Sequence, residues 1–334
     1  MLKLLLKNSG GTVDISQLVS TITWSGDYQQ CSRSLNFQLL SSSTDKNIPV
    51  VKCELGNAIT LMQENTTLFE GFVFSRQKST EESSIDISCY DRGFYLKKNK
   101  TSYKFINSTP ESVTKRVATD NGFEVGEIAT TGFKLSRNFL GVSLYEIIQT
   151  AYTMASATNK KKYLAIFRGA KLCVIEKKVT DTTLVIEGGS NLIDASTSES
   201  IENMINQVVI YNSNDKIVRT LKNSSAIQLY GVMQDYLQQQ EGVDSTTEAQ
   251  KLLDDNGMEQ KITIDNLGNI ANVTGGTVVV REPYTGLYGL FYIDSDVHTW
   301  KNGIYLNKLV INFKNMMDEK EVGSLLNKTG VKTT

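Results

Sequence analysis

Histidine occurs once in this chain of 334 residues, tryptophan twice, and cysteine four times with no Cys-x-x-Cys pair. A zinc site needs thiols and imidazoles at close spacing. Cys31, Cys53, Cys89, Cys173 and the lone His298 do not supply that pattern, so no metal and no cofactor is expected. No run approaches the ~20 apolar residues that cross a bilayer. The opening Met1-Leu2-Lys3-Leu4-Leu5-Leu6-Lys7 is too short and interrupted for a secretory leader and reads as a first strand. Neither sign of charge dominates. Lys+Arg total 35 and Asp+Glu 36, a net charge of −1, which gives no strong pull on nucleic acid. The clusters Lys160-Lys161-Lys162 and Lys97, Lys98, Lys100 read as solvated turns or strand ends. Phosphate-binding glycine loops are missing too, since Gly188-Gly189 and Gly275-Gly276 read as strand-end turns.

What is present is an ordinary globular composition, 40% hydrophobic and 21% charged, in a chain long enough for two or three domains. The first hundred residues alternate. Leu35, Phe37 and Leu39 are separated by Asn36 and Gln38, and Ile85, Ile87 and Cys89 by Asp86 and Ser88. That period marks strands with one buried and one wet face, so Cys89 is expected in the core. Polar stretches at 41–47 and 78–84 read as connectors.

The pattern changes near residue 108. Thr109-Pro110-Glu111 is a helix start and Asn121-Gly122 its stop. Ser143 with Glu146 forms a capping box ahead of Leu144, Ile147, Ile148, Ala151 and Tyr152, one apolar stripe. Tyr163–Phe167 and Leu172–Ile175 read as a hairpin. Strands return at Val208–Tyr211 and Ile217–Arg219 around the turn cluster Asn212-Ser213-Asn214-Asp215, which lacks the Gly and Glu of a calcium loop. Ser245-Thr246-Thr247-Glu248 predicts a second capping box, and Asp255-Asn256-Gly257 a stop. Alternation of Leu309, Ile311 and Phe313 closes the last strand.

Catalytic readings find little support. His298 sits in a strand-like run beside Trp300 and reads as structural, its imidazole bonded to a neighbouring loop. The adjacent acids Glu81-Glu82 and Asp254-Asp255 lie in polar loops, unlike the separated carboxylates of a glycosidase. Trp24 and Trp300 read as core or interface anchors rather than sugar platforms. Asp27 and Arg33 are spaced so that they could pair across a turn, though a surface role is equally simple.

Four segments then fall in one order: Thr23-Trp24-Ser25-Gly26-Asp27-Tyr28 with Arg33-Ser34-Leu35-Asn36-Phe37; Asp91-Arg92-Gly93-Phe94-Tyr95; Ser200-Ile201-Glu202-Asn203-Met204-Ile205-Asn206; and Asp296-Val297-His298-Thr299-Trp300-Lys301-Asn302-Gly303. Together they resemble the baseplate hub proteins of contractile phage tails and phage-tail-like bacteriocins, the PBSX-type XkdQ/YqbQ-like family, over about residues 20–314.

The resemblance implies a mainly β fold with an α+β insert and two small β-barrel domains. Its expected boundaries are 1–100 for the first barrel, 101–190 for the insert, 191–222 with 259–320 for the second barrel, 223–258 for a mixed insertion, and 321–334 for a flexible tail. It implies no catalysis, and Trp24, Gly26, Asp27, Arg33, Asp91, Arg92, Glu202, Asn203, His298, Trp300 and Gly303 as structural or assembly residues. The expected partners are two further copies in a homotrimer, a tail tube or tube-initiator protein, a spike, a tape-measure protein and baseplate wedge proteins. The expected location is the baseplate of a particle assembled in the bacterial cytoplasm. With no fused lytic domain expected after the last strand, the spike is expected to be a separate protein. The first and last β regions are expected to meet across the subunit boundary. Two other classes stand beside this one. A cell-wall-binding tail protein would bind glycans, and a peptidoglycan hydrolase would clear a zymogram.

Overall fold

The computed structural model describes residues 1–42, 45, 47–79, 83–180, 184–239 and 244–326. Its contacts divide the chain into two units, Met1–Ala195 with Thr263 onward, and Ser196–Ile262.

The first β region consists of β1 (Leu2–Asn8), β2 (Gly11–Asp14), β3 (Val19–Asp27), β4 (Ser34–Leu40), β5 (Ala58–Gln63), β6 (Thr66–Lys78) and β7 (Ser84–Asp91). They pair in the order β3-β4-β7-β6-β5-β1-β2. The register explains the alternation, because Leu35, Phe37 and Leu39 of β4 stand opposite Cys89, Ile87 and Ile85 of β7. All six are buried in one core with Leu4, Leu6, Trp24, Ile59 and Leu61. The four cysteines are buried and unpaired. One helix interrupts the expected β pattern, α1 (Gly93–Lys98), which seats Leu96 in the core of the following insert.

The insert contains β8 (Lys100–Ser108), α2 (Pro110–Asp120), β9 (Glu124–Ile128), β10 (Leu135–Ser143), α3 (Leu144–Asn159), β11 (Lys162–Arg168) and β12 (Lys171–Lys177). The Thr109 hydroxyl accepts the Ser112 N–H at 3.3 Å and caps α2. Ser143 Oγ accepts from Glu146 N at 3.2 Å, and Glu146 Oε2 accepts from Ser143 N at 3.0 Å, the reciprocal capping box. The stripe of α3 buries Leu144, Ile147, Ile148, Ala151 and Tyr152 among Val113, Val117, Phe139, Tyr163 and Leu172.

Two boundaries differ from expectation. Within 184–190, β13 (Leu184–Glu187) pairs in parallel with Thr277–Glu282 of the last β region, because its apolar residues continue that sheet. The end of the chain, expected to be a flexible tail from 321, is strapped to the insert as far as it is described. Ser324 and Leu325 pair with β10, Arg137 Nε donates to Val322 O, and Val322 N donates to Thr150 Oγ1. Tyr145 Oη donates to Asp318 Oδ2 at 2.7 Å just before this stretch. Residues 327–334 of the expected tail lie outside the described residues.

Strand β14 (Leu192–Ser200) leads into the second unit. There β15 (Gln207–Tyr211), β16 (Ile217–Lys222) and β17 (Gln234–Gln238) form a separate sheet in the order β16-β15-β17, with α4 (Ser224–Tyr230) and α5 (Thr246–Asp255). The assignment of 191–222 to the second barrel is therefore corrected for 207–222. These strands find their only sheet partners, among the described residues, within residues 207–238. The core here is small: Val208, Ile210 and Ala249, with Leu221, Leu237, Leu252 and Leu253 against them. Ser245 makes no capping bond. The Asp244 carboxylate takes the Thr246 N–H instead, at 2.9 Å.

The chain returns through β18 (Glu259–Leu267), β19 (Thr277–Glu282), β20 (Leu287–Lys301) and β21 (Ile304–Asn312), followed by the short β22 (Ser324–Leu325). Asn302 and Gly303, with φ of 53° and 76°, make the two-residue turn of the β20–β21 hairpin. Left-handed backbone at both positions is what Asn-Gly supplies. The two β regions do meet, but within one chain. β20 pairs antiparallel with β3 from Ser295↔Asp27 to Lys301↔Thr21. A single sheet thus continues from one region into the other within the chain. The reason is register. The buried side chains of β3 and β20 fall on the same face of this pairing.

Candidate functional site

The β3–β20–β21 junction brings most of the singled-out residues together. Cross-strand pairing sets Trp24 opposite His298 and His298 opposite Asn307; one step along, Ile22, Trp300 and Tyr305 form the next row, and Gly26 lies opposite Asp296 on the other side. Alternation puts Asp296, His298 and Trp300 on one face of β20.

Asp296 and His298 are both 0% exposed. Arg33 reaches Asp296 with both terminal nitrogens, Nη1 at 3.0 Å and Nη2 closer still. Thr274 donates to the same carboxylate from its N–H and its hydroxyl, each at 2.7 Å. Burial opposes the charge on Asp296, but the Arg33 guanidinium and the His298 ring more than offset it and hold the carboxyl well below the usual range. His298 Nδ1 accepts from Tyr305 Oη at 2.7 Å and Asn307 Nδ2 at 2.9 Å. That leaves the proton on Nε2, which faces Asn272 O at 3.1 Å and Asp296 Oδ2 at 3.2 Å. The imidazole is bonded on all sides and has no free nitrogen for a reacting group.

The aromatic rings are equally occupied. Trp24 carries the Arg33 guanidinium 4.0 Å above its ring and the His298 ring 4.6 Å away. Trp300 stacks on Tyr305 at 4.4 Å. Gly26 is required by this crowding, since a Cβ there would come within 2.2 Å of Arg33 Nη1.

Asp91 forms a second hook on Arg33. Its carboxylate takes the Arg33 N–H at 3.1 Å and the Gly93 N–H at 2.8 Å, tying the strand into β4 to the start of α1. Burial raises its pKa to about 6 despite those two amides. Arg92 turns outward, its guanidinium 5.4 Å from the Phe72 ring.

Besides Arg92 and the turn residue Gly303, three residues do not join the network. The Asp27–Arg33 pair is absent because Arg33 is taken by Asp296, and Asp27 accepts the Gln29 N–H in a local turn. Glu202 and Asn203 belong to the second unit, where Asn203 Nδ2 donates to Glu259 at 3.3 Å. The sequence reading missed Asp296, Tyr305, Asn307, Asn272 and Thr274 as members. The available signal was the polar–apolar inversion in β20, where alternate residues Asp296 and His298 are polar yet share a face with Trp300. Among the described residues no cluster of His, Cys, Asp or Glu is placed to hold a metal ion, and no helix is long and apolar enough to cross a membrane.

The architecture is that of phage tail proteins. A 43 kDa tail protein of prophage MuSo2 from Shewanella oneidensis superposes with a TM-score of 0.71 at 14% identity, covering 93% of this chain and 98% of that one. An Escherichia coli component of the type VI secretion system, described as structurally similar to the T4 phage tail proteins gp27 and gp5, superposes with a TM-score of 0.54 at 8% identity, over 92% of this chain and 77% of its own. The chain belongs to the YQBQ-like family, whose model matches residues 22–312. It is 25% identical to the phage-like element PBSX protein XkdQ of Bacillus subtilis (strain 168) over 312 residues, 90% of this chain and 94% of that protein.

Proposed function

We propose that the protein is the structural hub of a phage-type tail baseplate. Three copies form a ring on the tail axis, joining the sixfold tube to a threefold spike, with no catalytic activity of its own. The observation that carries this is the internal β3–β20 junction, which fuses two β regions side by side in one chain. Two tube-like β-barrel domains per chain, taken three times, give the six positions that a sixfold tube requires. The relatives support the setting: a phage-like element protein, a prophage tail protein and a secretion-system component likened to gp27 and gp5. The partners are then the tube or tube initiator, the spike, the tape-measure and the wedge proteins, and the protein resides in the assembled particle.

A wall-binding or hydrolytic role finds no comparable support. Trp24 is buried, Trp300 is only partly exposed and stacks on Tyr305, and the lone histidine is sealed. The test is copy number. Quantitative mass spectrometry of purified tails is expected to give three copies per particle. Six copies, or clearing of a cell-wall zymogram by the purified chain, would overturn the proposal.

A further inference from the structure

The second unit carries an apolar cleft that its own fold does not cover. Helix α4 buries none of its residues. Leu229 is 73% exposed, Val232 58%, Met258 47% and Tyr230 40%. Leu229, Tyr230 and Met258 border, with Met204 and Leu253, a cleft of about 280 Å³. The sequence that carries it is rich in acids. Residues 223–250 contain no lysine or arginine, Asp254 and Asp255 follow Leu253 directly, and acidic side chains outnumber basic ones twofold across 196–262.

The opposite chemistry occurs on the outer face of the first β region. Phe72, Phe74 and Tyr90 of the sheet meet Phe94 and Tyr95 of α1 in one contiguous aromatic group, with ring centroids 4.4–6.2 Å apart along Phe74–Phe94, Tyr90–Phe94 and Phe72–Tyr95. Arg92 and Lys98 lie over two of these rings. Residues 92–110 hold Arg92, Lys97, Lys98, Lys100 and Lys104 and no acid.

We propose that the α4 cleft of one copy docks on the aromatic, basic patch around α1 of a second copy. The two surfaces match in kind. Methionine sulfur packs well against aromatic edges, and the exposed Asp254 and Asp255, next to Leu253 in the chain, complement the lysines. They are different surfaces on one chain, so the contact is heterologous and repeats around a ring until it closes. The inference rests on the proposed trimer and names the surfaces that build it.

The test is disulfide capture in assembled tails with the full chain carrying Tyr95→Cys and Leu229→Cys, the four native thiols being buried. Oxidation is expected to link the double variant into covalent trimers and to leave each single variant unlinked. A second arm reverses charge. Lys97→Glu with Lys98→Glu is expected to weaken tail assembly at least tenfold, and adding Asp254→Lys with Asp255→Lys to restore it. Axial trimers with neither cross-link nor charge rescue would overturn the docking while leaving the hub standing. Tails in which the chain is not trimeric would overturn the hub itself.

Discussion

The insert and the second unit are both small α+β assemblies, yet they bury apolar surface very differently. The insert packs two helices and its strands into one core, with Ile147, Ile148, Ala151 and Tyr152 fully buried, and the C-terminal strap adds β22 to the β10–β8 sheet. The unit formed by 196–262 has Val208, Ile210 and Ala249 at its centre and leaves Leu229, Val232, Tyr236 and Met258 exposed. One fold element satisfies itself. The other keeps apolar surface for a partner, which monomeric proteins rarely do over a contiguous patch.

The sharpest way to break this comparison is the same kind of substitution in both places. Ile148→Asp puts a charge into a closed core and is expected to cost on the order of 4 kcal/mol or more, seen as a collapsed urea midpoint and rapid proteolysis of the insert. Leu229→Asp is expected to change the urea midpoint of the isolated chain by no more than about 0.5 kcal/mol while reducing assembly. Equal destabilisation by the two would remove the distinction.

Next in size is the β3–β20 junction, where a buried polar network lies beside the apolar contacts of Ile22, Trp24 and Trp300. Arg33→Ala leaves Asp296 ionised and fully buried without its main partner, so a loss of about 3–5 kcal/mol is expected in chemical denaturation. Arg33→Met combined with Asp296→Leu is expected to recover much of it, because the destabilising element is the orphaned charge. A double variant as unstable as Arg33→Ala would show that the pair's geometry is indispensable.

Much of the fold was legible in the sequence, and the reasons for failure are specific. Local signals held where local chemistry decides. Thr109-Pro110, the Ser143–Glu146 box and the Leu35/Phe37/Leu39 alternation all appear as read, since caps and period-two patterns act within a few residues. Ser245 failed because Asp244, one residue earlier, takes the amide. The Arg33 partner could not be told from the sequence because Asp296 lies 263 residues away, and nothing local distinguishes it from the nearer Asp27. The strap at 322–325 was read as a loose tail because its bonds are to backbone of β10 and to side chains of the insert, which leave no periodic pattern. The exposed cleft was invisible because an apolar helix face looks alike whether covered or bare.

A smaller effect tests the strap. Tyr145→Phe removes the hydroxyl bonded to Asp318 and is expected to cost about 1.5–3 kcal/mol, with earlier proteolysis after residue 312. No change in cleavage would place the strap's hold elsewhere.

The smallest effect is in pH. Asp91 has its folded pKa raised by burial to about 6, above the ordinary carboxylate value. A raised carboxylate means the folded state binds the extra proton, so this group adds stability as pH falls from about 6 towards 4. Asp296 has the opposite sign. Its folded pKa is depressed, so its contribution is present above the ordinary carboxylate range and is lost as pH falls below it. Asp91→Asn is expected to flatten the stability profile between pH 4 and 6 and to leave the acid limb below pH 4 intact. A profile unchanged by the substitution would contradict the assignment.

The hub reading meets its most direct test in a reconstruction of the baseplate from assembled tails without imposed symmetry. The expected density is a threefold ring on the tail axis between tube and spike, each copy supplying two adjacent β units joined through the strand containing Trp24 and the strand containing His298. A sixfold ring with one β unit per copy, or density for the chain at the baseplate periphery, would contradict it.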